Sequence, residues 1–170
     1  MFTVTTAMFQ SEPRVSLRNA VFTIDFIALL VFCWLGFESL KLDPFSIVVS
    51  FAAAIFSVAC AIGAYFLHSR FPKKHTEAAD FPKLMTTGPY SRVRNPFYSI
   101  VIALNYGVSF IVLSYYAIIA SSFMLPLWWY LVKSEEKDLE KVWGQEYIDY
   151  KKSTPMFIPK LKAPRKTLKS

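Results

Sequence analysis

The sequence predicts an all-α integral membrane protein, a helical bundle with about four transmembrane helices and a cytosolic C-terminal amphipathic helix. Three observations carry this. Residues 21–40 form a 20-residue apolar stretch broken only by Asp25 and Glu38, residues 45–67 run 23 residues without a charge, and residues 96–132 run 37 residues without one. Uncharged runs of about 18 residues or more read as membrane-spanning helices. Hydrophobic residues make up 54% of the chain, above the usual soluble range, and a length of 170 residues suits one membrane-embedded domain over 1–170.

Residues 1–19 are polar, carry Pro13 and read as a short tail or interfacial segment. The first span follows at about 21–40. It is longer than a signal-peptide core and lacks a small-x-small cleavage site, so it reads as an anchor. Asp25 and Glu38 lie toward its ends, where snorkelling or helix-end solvation accounts for them as well as function does. Asp43-Pro44 is a turn into the second span, about 45–67, with Pro44 suited to the first helical position. Small residues there, from Ala52-Ala53-Ala54 to Gly63-Ala64, read as helix packing. Cys33 and Cys60 fall inside the apolar spans and read as buried small hydrophobes.

Residues 96–132 as one helix would be about 55 Å long at ~1.5 Å per residue, well beyond the ~30 Å hydrocarbon core. Two spans, about 96–113 and 116–132, joined by a turn near Ser114-Tyr115-Tyr116, fit better, though each is short enough to require tilt or local thinning. After Val132 the helix leaves the membrane. Leu139, Val142, Trp143, Tyr147 and Tyr150 recur at roughly helical spacing as an apolar stripe. Pro155 and Pro159 end the regular structure, and 160–170 is a basic tail suited to anionic headgroups.

Charge sets the orientation. Of 19 Lys and Arg, two precede the first span, one (Lys41) lies between the first two, six fall within 70–94 and ten follow Val132. The positive-inside rule puts both termini and residues 70–94 in the cytosol, as for a multi-pass protein of a prokaryotic inner membrane or the endoplasmic reticulum. The net charge of +7 is this bias; no nucleic-acid motif accompanies it. His68 and His75 sit among basic residues and read as solvated, and no His/Cys/Asp spacing suggests a metal. A soluble nucleotide-binding domain is excluded by the lack of alternating strands and helices and of a Gly-rich phosphate loop.

Two polar clusters flank the hairpin of the third and fourth spans: 88–98 before it and Glu135-Glu136 after it. A hairpin returns its ends to one membrane face, so the clusters are expected to meet in a cytosolic ligand site. Aromatic rings suit adenine or a sulfonium, and carboxylates suit hydroxyls or an ammonium. Taken singly, Gly88-Pro89 is also an ordinary turn, Tyr90 and Tyr98 are also interfacial tyrosines, and the acidic pair is also a solvated helix face.

The pattern Gly88-Pro89-Tyr90-x-x-Val93-Arg94-Asn95-Pro96-x-Tyr98, then Glu135-Glu136, then Trp143-Gly144-Gln145-Glu146-Tyr147 leading to Pro155 and Pro159, resembles the isoprenylcysteine carboxyl methyltransferase family and the related phospholipid N-methyltransferases. The resemblance covers about 83–159 and implies a membrane enzyme using S-adenosyl-L-methionine on a lipid-like or isoprenoid-bearing acceptor from the bilayer. It implies that Lys83, Leu84 and Met85 line the cofactor, that Tyr90 contacts it, and that Asn95, Pro96 and Tyr98 form another wall. Glu135 would bind its polar groups, with Glu136 beside it or supporting the fold. Arg94 would orient the loop or meet an acidic group, so Arg94, Asn95 and Tyr98 are the candidate catalytic residues. His75 falls near a further contact. Three positions depart from the family: Asn95 stands where it has His, Ile100 where it has Gly, and Leu131 where prenylcysteine enzymes have Arg. An NADPH-dependent membrane reductase of sterol-like substrates and a non-catalytic scaffold stay open as other readings. The acceptor and the oligomeric state are left open.

Overall fold

The computed structural model describes residues 13–37, 43–71 and 81–159. Glu38, Lys41, His75 and the basic tail fall outside them. Four α-helices follow in order: α1 (Pro13–Phe37), α2 (Pro44–His68), α3 (Pro96–Ile111) and α4 (Tyr115–Ser153), with a 3-10 turn at Gly88–Ser91 before α3. Among the described residues there is no strand.

Three helices open on proline, whose missing N–H is an orphan there in any case. At α2 the Asp43 carboxylate also accepts from the backbone N–H of Phe45 and of Ser46, at 3.0 Å each. This is an N-cap, and it matches the turn expected at Asp43-Pro44. At α4 the Ser114 hydroxyl accepts from the Ala117 N–H at 3.2 Å. The turn between α3 and α4 falls where expected, and Leu113 enters the left-handed region with φ +48°. For a residue with a Cβ this costs roughly 1–2 kcal/mol.

Helices α1, α2 and α4 are long and apolar enough to cross a membrane. The helix at the expected third span, α3, has 16 residues, or about 24 Å, and is shorter than that. α4 has Pro126 within it and is broken at Gly144 (φ 52°, ψ −125°). The stripe expected along it therefore divides: Val142 is exposed, whereas Tyr147, beyond the break, is 1% exposed.

The chain forms two compact units. The first combines Met1–Phe56 with Asn105–Leu131, the second Ser57–Leu104 with Val132–Ser170. In the first unit large apolar side chains face outward, among them Phe26, Trp34, Phe45, Phe51 and Phe123, while Asp25, Asn105, Ser109, Ser114 and Ser121 are buried. That inversion is the membrane pattern, in which lipid solvates apolar faces and small or polar residues join helices.

Asp25 corrects the sequence reading. It lies mid-helix in α1, buried rather than solvated at an end. The Asn105 amide donates to it at 2.6 Å and the Trp128 indole at 3.4 Å. The reason is that α1 starts at Pro13, eight residues before the apolar run, which moves Asp25 a dozen residues inside the helix. Nearby, the Ser114 hydroxyl donates to the Phe32 carbonyl at 2.9 Å. A Cβ on Gly36 would lie 2.0 Å from that hydroxyl oxygen and 3.1 Å from the Ser114 Cα.

In the second unit the Ile100 side chain lies 3.6 Å from where a Cβ on Gly63 would be. Ile100 thus packs against a glycine on α2. The two glycines should respond differently. Gly36→Ala is expected to lower the unfolding midpoint in detergent by an amount equivalent to about 1–3 kcal/mol, as overpacking does. Gly63→Ala should be neutral or raise it by up to ~1 kcal/mol, through helix propensity.

Candidate functional site

The site belongs to the second unit and is built where the chain enters α3. Gly88 adopts φ +63°, open to glycine without steric cost. Pro89 then fixes the 3-10 turn, and its carbonyl accepts from the N–H groups of Arg92 and Val93 at 3.1 and 3.2 Å. Asn95 precedes a proline, which disfavours helical backbone there, so α3 starts only at Pro96. The turn therefore delivers Arg94, Asn95 and Tyr98 together.

They meet the acidic pair of α4. Arg94 Nε donates to Glu136 Oε1 at 2.9 Å, and the Asn95 amide donates to the same oxygen at 3.2 Å. Tyr98 donates its hydroxyl proton to Glu135 Oε1 at 2.7 Å. The Arg94 and Glu136 side chains are 8% and 1% exposed, so this is a buried ion pair. Lys133 and Lys151 bring their ammonium groups to 3.8 and 3.9 Å from Glu136 Oε2, and Lys151 also pairs with Glu140. Glu136 Oε2 and the Tyr147 hydroxyl are buried without a hydrogen bond.

The two carboxylates therefore differ in kind. Glu136 is enclosed and committed to Arg94 and Asn95. Glu135 is half-buried and accepts the Tyr98 hydroxyl proton. Asn95 contributes an amide donor to Glu136.

Tyr90 is half-buried, and the Tyr150 hydroxyl donates to its carbonyl at 2.6 Å. Burial pushes the Tyr90 phenol up to about 12, so it is neutral, a hydrogen-bonding ring, across the working pH range. Pro96 is buried at the start of α3. Lys83 is exposed, and Leu84 and Met85 are half-buried, on the irregular chain leading into the turn; the hydrogen bonds of Arg94, Asn95 and Tyr98 do not join these three to the carboxylates. His68 is exposed, its ring 5.5 Å from Phe71 and 6.0 Å from Phe97. Phe71 in turn meets Phe81 at 5.7 Å, and Phe97 meets Tyr98 at 5.8 Å. An aromatic wall thus adjoins the Tyr98–Glu135 pair.

Sequence reasoning missed Tyr150, Ser99 and Thr154. Tyr150 stood in the apolar stripe and in the motif that follows Trp143 but was given no role, and no pattern marks the other two. The division of labour is testable by unfolding. Glu136→Ala leaves Arg94 buried without its counter-ion and should cost about 3–5 kcal/mol. Glu135→Gln, on a half-buried group, should shift the unfolding midpoint far less.

The sequence model of the phospholipid methyltransferase family matches residues 45–146, more than half of the chain. No curated protein and no solved structure gives a significant match.

Proposed function

The chain belongs to the phospholipid methyltransferase family, and from that premise we propose that it transfers a methyl group from S-adenosyl-L-methionine to a lipid-like acceptor arriving from the bilayer. The whole chain is read as one membrane-embedded methyltransferase domain, with the site on the cytosolic face. The observation that carries the reading is the meeting of Arg94, Asn95 and Tyr98 with Glu135-Glu136.

The residues present fit the cofactor by their chemistry. It carries hydroxyl and ammonium donors, an anionic carboxylate and an aromatic base. Glu135 supplies an acceptor for the donors, and Lys133, 34% exposed, supplies a cation of the right sign for the carboxylate. Tyr90, Leu84 and Met85 supply half-buried apolar and aromatic surface suited to the base. When bound, the cofactor supplies a methyl group already activated by its sulfonium.

The protein's part is then alignment and exclusion of water, without a covalent nucleophile. Tyr98 holds the Glu135 carboxylate in one orientation. Arg94 and Asn95, drawn onto Glu136, hold the loop that presents Tyr90 and Tyr98. A carboxylate or thiolate acceptor needs no base, whereas an amine acceptor must first lose a proton. The reading favours a lipid-like acceptor because long apolar helices adjoin the site in sequence.

Incubation with methyl-labelled S-adenosyl-L-methionine and a native membrane extract should place the label in a lipid fraction. Glu135→Gln and Tyr98→Phe should each lower the transfer by tenfold or more, about 1.4 kcal/mol or above. Transfer unchanged in both variants would remove the site assignment. Saturable binding of labelled NADPH in place of S-adenosyl-L-methionine would select a reductase, and cofactor binding without turnover on any extract a scaffold.

A further inference from the structure

We infer that residues 154–157, together with Tyr150, form a positioning strap that completes the site by holding the loop that enters α3. The family match ends at 146, two residues after the break at Gly144. Beyond that break the chain returns to the entry of α3. Four consecutive carbonyls accept hydrogen bonds from it: that of Thr154 from the Arg94 guanidinium, that of Pro155 from the Arg94 N–H at 2.8 Å, that of Met156 from the Asn95 N–H at 3.2 Å, and that of Phe157 from the Ser99 hydroxyl at 2.9 Å, which also reaches the Asn95 carbonyl at 3.0 Å. Arg94 Nη1 also donates to the Lys151 carbonyl at 2.9 Å. Tyr150 closes the other side through the Tyr90 carbonyl.

The chemistry explains why these segments need each other. A helix leaves its first N–H groups and last carbonyls without internal partners. Here the N–H groups of Arg94 and Asn95 lie just before α3 and the carbonyls of residues 154–157 just after α4, while the Lys151 carbonyl, in the last turn of α4, is taken up by Arg94. Pairing the two segments satisfies backbone groups that neither helix satisfies by itself. Arg94 and Asn95 thus have their side chains set by Glu136 and their backbone set by the strap, which leaves the loop little freedom. Ser99 and Tyr150 are positioning residues in this arrangement: they touch the loop rather than any reacting atom.

This inference rests on the methyltransferase reading, and two measurements on the full-length chain in detergent separate the two. Hydrogen exchange reads the strap, and binding of S-adenosyl-L-methionine reads its consequence. Each hydrogen bond is worth about 1 kcal/mol, or roughly fivefold. Ser99→Ala combined with Tyr150→Phe should speed exchange in residues 88–99 well beyond the rest of the chain and weaken binding about tenfold or more, with a modest lowering of the unfolding midpoint. Ser99→Thr, which keeps the hydroxyl, should restore the Ser99 share. Unchanged exchange in 88–99 overturns the strap while leaving the function standing. So does faster exchange with undiminished affinity, or affinity lost only in step with the unfolding midpoint. If the wild-type chain does not bind the cofactor yet the double variant loosens 88–99, the methyltransferase reading fails and the strap is upheld as the element that holds this loop.

Discussion

The buried pair of Arg94 and Glu136 is the constraint on which the second unit depends. An ion pair removed from water gains little net stability, because desolvation of both groups offsets their attraction. What it does is forbid alternatives. A guanidinium that is 8% exposed must find acceptors, and the arrangement that supplies them joins positions 42, 57 and 60 residues apart in the chain. Register follows: once Arg94 is placed, Asn95 falls on the same carboxylate and Tyr98, one turn further, falls on its neighbour.

That placement also sorts two adjacent acidic residues into different work. Successive side chains on a helix point about 100° apart, so Glu135 and Glu136 cannot share an environment. The one facing Arg94 is enclosed. The other keeps partial exposure and a tyrosine partner, which is the condition under which a carboxylate can still meet a ligand.

Much of this was legible in the residues. Charge-free runs located the helices, Asp43-Pro44 marked the start of α2, and the clusters around Arg94 and Glu136 were placed together by hairpin geometry alone. Other features were hidden for physical reasons. The start of α1 at Pro13 lies in polar sequence, so hydropathy set the boundary too late and misplaced Asp25. Gly144 follows a run rich in good helix formers from Glu135 to Lys141, and one glycine costs only about 1 kcal/mol, so it does not announce a break. The strap acts through main-chain carbonyls, which every residue has, so no side-chain pattern betrays it. That Ile100 packs against Gly63 was equally hidden, since contacts between distant positions are invisible along a single chain.

Asp25 has a consequence for how the protein is made. An aspartate at the centre of a membrane helix opposes insertion by about 2.5–3.5 kcal/mol. Its two partners, Asn105 and Trp128, follow 80 and 103 residues later in the chain. Neither partner exists until α3 and α4 have been synthesised, so this cost is offset only once those helices pack against α1.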